Sequence, residues 1–276
     1  MSMGLGLLGQ AAGTGSKYWL PQDLSTHGAT IDGLIVFTHW FMAALFVGWG
    51  IFFVYCLVRF RRRTGQAACY EQIKAKPSKA IEVLVVIVEA VLLVGFSIPA
   101  WAAYRDDPPP ADERLEIRVV AEQFAWNVHY PGPDGVFGRT DRSLMQEGVN
   151  ALGLDRDDPA GEDDIVPPQN TMHLPIGKPI YVRLTSKDVI HSFSIPVLRV
   201  KQDVVPGMEI PIWFEATSLG SDAEATYDIQ CAQLCGQGHY MMRGRVTLHE
   251  PADFEAWMET AGEAEEFFEE EEFEDD

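Results

Sequence analysis

The sequence is short of positive charge and of cysteine. It carries 21 Lys and Arg against 41 Asp and Glu, a formal net charge of −20. That balance excludes a nucleic-acid binder, which needs a basic face. No C-x-x-C-H run occurs, so no haem-binding domain is fused into the chain. The first ten residues have no basic stretch ahead of their short apolar run, so no cleavable signal peptide is expected. Charge is also missing from the twenty-five residues Leu34 to Val58. The chain is therefore expected to reach its compartment through membrane spans.

Residues 34–58 are long enough to cross a hydrocarbon core of about 30 Å as a helix. Gly48-Trp49-Gly50 offers a close-packing surface within it. Arg59, Arg61, Arg62, Arg63, Lys74, Lys76 and Lys79 crowd the following loop, 59–81, which the positive-inside rule makes cytoplasmic. Residues 82–104 form the second expected span, ending on Pro99, Trp101 and Tyr104 at an interface. The N-terminal segment 1–33 and everything after Tyr104 then lie outside, in a bacterial periplasm. Glu89 lies inside the second span, where an ionisable group is costly unless neutral or paired, and is expected to face a partner subunit.

After a stiff Pro-rich linker at Arg105–Pro110 the pattern turns to short β segments. They are expected at Leu115–Val120, Phe124–Tyr130, Pro179–Ser186, Glu209–Ala216, Ala225–Gln230 and Gly244–His249, bounded by turn residues. This reads as a small all-β Greek-key barrel over residues 105–262, closed by a short helix at 251–261. Between 131 and 170 runs a long loop with nine acidic and three basic residues. It either presents negative charge to a cationic partner or is simply solvated. The last fourteen residues, 263–276, hold ten Asp or Glu and read as a disordered tail.

The chemistry concentrates in Cys231-Ala232-Gln233-Leu234-Cys235-Gly236-Gln237-Gly238-His239-Tyr240-Met241-Met242, spaced C-x3-C-x3-H-x2-M. Thiolate, imidazole and thioether form the soft ligand set of electron-transfer copper. One Cys suffices for a mononuclear site. Two thiolates on one loop can bridge two copper ions, and each copper then needs an imidazole. His191, in Asp188-Val189-Ile190-His191-Ser192, is the best second candidate. A structural zinc site fits less well, because zinc rarely takes Met and prefers other Cys spacings. A Cys231–Cys235 disulfide explains neither His239 nor Met242. Cys56 and Cys69 lie outside the motif and read as bystanders.

The ligand loop, the Asp188–Ser192 segment and Lys201-Gln202-Asp203-Val204-Val205-Pro206-Gly207 together resemble cytochrome c oxidase subunit II. The resemblance runs from about Tyr18 to Trp257. It implies a cupredoxin domain holding a two-copper CuA centre bridged by Cys231 and Cys235. It would place His191 and Met242 on one copper, and His239 with the main-chain carbonyl of Gln233 on the other. Most of the family has Glu at position 233. Gln keeps the carbonyl, but its neutral amide is a poorer ligand for magnesium, so no magnesium is expected there. Glu82 matches a family glutamate at the mouth of a proton path into the catalytic subunit; an ordinary interfacial Glu favoured by the helix dipole is the competing reading. Phe124 and Trp126 fall on an aromatic run where electrons enter, placed on one face of a strand; core packing is the alternative for Trp126.

The function implied is the electron-entry subunit of a haem–copper terminal oxidase in the inner membrane. It would take electrons from a cytochrome c type donor and pass them to haem in catalytic subunit I, where O2 is reduced to water. Other oxidase subunits are implied as partners. A CuA subunit of a nitric oxide reductase and a copper carrier or assembly protein are the alternatives.

Overall fold

The computed structural model describes residues 20–65, 67, 76–105, 108–146 and 149–261. Residues 1–19, Cys69 and the acidic tail lie outside them. The chain divides into a helical unit and a β unit, and the β unit also takes residues 20–29.

In the helical unit, α1 spans Gly28–Arg59. Helix α2 spans Lys76–Leu92 and continues through one π turn, Leu93–Ser97, into α3, Ile98–Arg105. The helices run beyond the apolar stretches 34–58 and 82–104, because propagating a formed helix gains one backbone hydrogen bond for each residue fixed, whereas nucleating it fixes three for one. Both are long and apolar enough to cross a bilayer. They are apolar all round, with Phe46, Trp49, Val86 and Leu93 all exposed, as lipid-facing helices are. Phe37 on α1 stacks against Phe96 in the π turn, with ring centroids 5.9 Å apart. Because α2 starts at Lys76, Glu82 sits about 9 Å inside it, beyond the first turn. The helix-dipole reading of Glu82 therefore loses its basis. Glu89, seven residues on, lies on the same face, and both carboxylates are exposed.

Among the described residues the β unit has nine strands: β1 Leu115–Glu122, β2 Ala125–His129, β3 Thr171–Pro175, β4 Pro179–Ser186, β5 His191–Ile195, β6 Val200–Val204, β7 Ile210–Glu215, β8 Thr226–Cys231 and β9 Arg243–His249. They form a four-stranded sheet, β2-β1-β4-β7, and a five-stranded sheet, β3-β9-β8-β5-β6. The chain passes back and forth between the two sheets, which share one core. Alternation decides what faces it: Ile117, Val119 and Ala121 of β1 and Ile180, Val182 and Leu184 of β4 point inward. Trp126, Phe193 and Phe214 fill the middle and are fully buried. Burial of each such side chain stabilises the fold by roughly 1.5–3 kcal/mol.

Three strands, β3, β5 and β6, lie outside the six expected from alternation. In β5 the run His191-Ser192-Phe193-Ser194-Ile195 is buried throughout, so no outward polar face marks it as a strand. Residues 251–261 do form a helix, here α4. It docks Trp257 against Tyr130 and His173 at centroid distances of 5.3 and 4.2 Å.

The long acidic loop is anchored rather than free. Asp164, buried at its end, accepts hydrogen bonds from His129 Nε2 at 2.6 Å and from the Gly138 amide at 2.8 Å. Its own Leu152 and Leu154 are buried. At the other end of the chain, residues 20–27 run along the β unit. The Leu24 amide donates to the Val197 carbonyl and the Thr217 amide donates to the Leu24 carbonyl, both at 2.8 Å.

Candidate metal centre

Two segments from the same sheet build the site. β5 opens with His191 and pairs with β8, which ends on Cys231. The chain then leaves the sheet, turns through Cys235 and His239, and returns as β9 just after Met242. The rigid pairing of β8 with β9 thus fixes both ends of the ligand loop.

Every expected donor converges there. Cys231 Sγ and Cys235 Sγ are 3.7 Å apart. His191 Nδ1 lies 3.9 Å from Cys231 Sγ and 3.1 Å from Met242 Sδ. On the other side, His239 Nδ1 is 3.6 Å from Cys235 Sγ, and the Gln233 carbonyl is 3.1 Å from Cys231 Sγ. One donor of each of His191, Cys231 and Cys235 falls within a common 4.8 Å. His191, Cys235 and Met242 are buried, whereas Gln233 and Leu234 are exposed.

The arrangement leaves the right nitrogen free. His191 Nε2 lies 2.8 Å from Asp188 Oδ1, and an ionised carboxylate only accepts hydrogen bonds. The proton therefore sits on Nε2, and the Nδ1 lone pair faces the sulfurs. Burial alone would raise the Asp188 carboxyl, but hydrogen bonds from His191 and from the Val189 and Gln123 amides hold it below its ordinary value. Asp188 thus orients the His191 ring. Burial, with the neighbouring Cys231, pushes the Cys235 thiol up to about 12. The loop by itself therefore keeps that thiol protonated, and a thiophilic cation must displace the proton.

The aromatic pair is split. Gln123 and Phe124 form the turn between β1 and β2, so Phe124 and Trp126 do not share a strand face. Phe124 is 37% exposed and packs on the ligand loop, where a Cβ added at Gly238 would come within 2.5 Å of its ring. Gln123 Nε2 donates to the Cys235 carbonyl at 2.6 Å. Gly236, at φ 137°, adopts backbone that side chains rarely tolerate and lies directly under this turn. Trp126 is fully buried, edge-on to His191 and Phe193 at centroid distances of 6.1 and 5.4 Å. It is core beneath the site, not surface above it, because a strand residue facing the other sheet has no route to solvent.

Fold and site together define a class: a cupredoxin-like β domain, carried on two apolar helices, with a thiolate–imidazole–thioether centre on its end loops. Residues 115–248 match the family described as cytochrome C oxidase subunit II, periplasmic domain. The chain is 36% identical over 243 residues to the alternative cytochrome c oxidase subunit 2 of Bradyrhizobium diazoefficiens, covering 88% of this chain and 83% of that one. It is 28% identical over 219 residues to the cytochrome c oxidase subunit 2 of Alkalihalophilus pseudofirmus, covering 77% of this chain but only 53% of that longer one. Among solved structures, the periplasmic domain of subunit II of cytochrome oxidase from Bradyrhizobium japonicum is 32% identical, with a TM-score of 0.40, covering 57% of this chain and 99% of that one. The chain belongs to the cytochrome c oxidase subunit II family, and is thus a subunit of a haem–copper oxidase complex. Its two apolar helices and its match to a periplasmic domain fit an inner-membrane protein.

Proposed function

We propose that this chain is the electron-entry subunit of its oxidase, with the loop cluster holding two copper ions. Cys231 and Cys235 would hold both ions, with His191 and Met242 serving one and His239 and the Gln233 carbonyl the other. The single observation that carries this reading is the pairing around two thiols 3.7 Å apart. His191 and Met242 meet on one flank, while His239 and the Gln233 carbonyl each approach a thiol on another. Such a bound pair supplies one-electron redox chemistry.

The residues of the chain do the rest. The Asp188 hydrogen bond fixes the His191 ring, and burial of His191, Cys235 and Met242 keeps water away from the centre. Fixed ligands limit rearrangement when the charge changes. Phe124, with exposed Leu234, Tyr240 and Met241 on the ligand loop, gives an apolar surface for a cytochrome c type donor. The surplus negative charge of the chain steers a cationic donor toward it. The accepted electron leaves for haem in catalytic subunit I, and other oxidase subunits complete the assembly. The β unit and both termini lie in the periplasm, with the Arg-rich loop after α1 in the cytoplasm. Glu82, on the exposed face of α2, admits protons toward the catalytic subunit. Buried ligands favour retention of metal over the exchange a copper carrier needs.

The purified complex tests this reading. It should consume O2 with reduced cytochrome c, and Cys235→Ser should abolish that turnover while the subunits still co-purify. Consumption of NO but not O2 would replace the oxidase with a nitric oxide reductase. Unimpaired O2 turnover in the variant would remove the electron-entry role.

A further inference from the structure

Away from the metal loop, a cavity of about 430 Å³ opens between the outer face of the four-stranded sheet and the long acidic loop. In a chain of net charge −20 its wall is mainly cationic: Arg118, Arg142, Arg183 and Lys187 line it against two carboxylates, Asp141 and Glu209. Arg118 on β1 and Arg183 on β4 are register partners on adjacent strands, a like-charge pairing that costs stability unless something offsets it. Arg183 has its offset in Glu116 and Glu209, and Lys187 bonds Glu122 at 2.7 Å. Arg118 has no ion-pair partner among the described residues, and Glu209, Asp164 and Glu116 offset its charge only from farther off. Its guanidinium carbon lies 4.1 Å from the Phe137 ring centroid, and its Nε is buried with no hydrogen-bond partner. Burial also pulls its pKa down, so the charge is held at a cost.

A buried donor is ordinarily satisfied, so an orphaned one in a cavity wall points to an acceptor that enters the cavity. Arg142 stands on the loop side of the same space. Two arginines from opposite walls, neither in an ion pair among the described residues, suit a dianion better than a monoanion. Phosphate monoesters carry about −1.5 to −2 at neutral pH and take forked contacts from Arg. Met145 and Leu152 add an apolar wall, and the volume exceeds what a bare ion needs, so an organic body accompanies the anionic group. We infer that this cavity binds a phosphate monoester, its phosphoryl oxygens held between Arg118 and Arg142. Either a soluble organic phosphate or a phospholipid headgroup supplies that chemistry.

The probe is sn-glycerol 3-phosphate, titrated calorimetrically into the full chain in detergent. Saturable one-to-one binding is expected, weakened about tenfold by Arg118→Gln through loss of the charge-assisted fork. The exposed Lys178→Gln should leave it unchanged. Arg118→Lys, which preserves charge and fold but not the fork, should weaken binding several-fold. Nanodiscs distinguish the sources: displacement of the probe by phosphatidic acid in the bilayer identifies a headgroup, and undisturbed binding identifies a soluble phosphate. No saturable binding to the wild-type chain, equal affinity in both Arg118 variants, or equal affinity for succinate would overturn the assignment.

Discussion

Asp188→Asn perturbs the hydrogen bonds that orient His191 at the candidate metal centre. Asp188 Oδ1 accepts from His191 Nε2 at 2.8 Å and from the Val189 amide at 2.6 Å, while Oδ2 accepts from the Gln123 amide at 2.6 Å. All three partners donate, so only a group with two acceptor oxygens satisfies them. Asn has one. With its oxygen toward His191, its NH2 opposes the Gln123 N–H; flipped, it opposes Nε2–H and drives the imidazole proton to Nδ1, the atom needed for metal. Loss of such a supporting partner lowers metal affinity about 10–100-fold, or ~1.4–2.8 kcal/mol. Copper titration of the full chain against a competing chelator at pH 7 reads this directly. Because Asp188 titrates below its ordinary 3.8 in the folded chain, its contribution is complete above that pH and fades as pH falls through the folded value. The gap between wild type and variant should therefore close in acid. Equal copper affinity in the two proteins at pH 7 would refute the orienting role.

Three other outcomes follow from the same geometry. Met242→Leu should keep the copper and shift its potential, measured by redox titration, since an axial thioether tunes more than it holds. Phe124→Ala should slow electron uptake from cytochrome c in rapid mixing with an unchanged copper spectrum, whereas Trp126→Ala should lower unfolding free energy in denaturant by about 3–5 kcal/mol. Burial, aided by the adjacent His249, pushes His173 down to about 4. The unfolded chain binds that proton near 6.5, so stability is full above about 6.5 and falls as pH drops toward 4. His173→Gln should flatten that slope in urea midpoints taken across the range.

The donor set of the site was legible because its residues crowd into twelve positions, and soft donors at that spacing have few other uses. His191, forty residues upstream, came from the family resemblance and from the need for a second imidazole. The role of Asp188 was not legible: three residues from a histidine, it resembles any surface Asp until the turn brings it back onto Nε2. Alternating strands such as β1 and β4 showed themselves through their inward Ile, Val and Leu. β5 did not, because burial on both faces erases the alternation. Trp126 shows the limit from the other side. An aromatic two positions from Phe124 invites a shared face, yet the strand begins only at Ala125, so Phe124 lies on the ligand loop and Trp126 beneath it.

The most direct measurement is the copper content of the fully loaded, folded chain together with its electron paramagnetic resonance spectrum. Two coppers per chain, with one unpaired electron spread equally over both nuclei and lost in Cys231→Ser, is the predicted result. One copper per folded chain, or an electron confined to a single nucleus, would contradict the bridged centre built on Cys231 and Cys235.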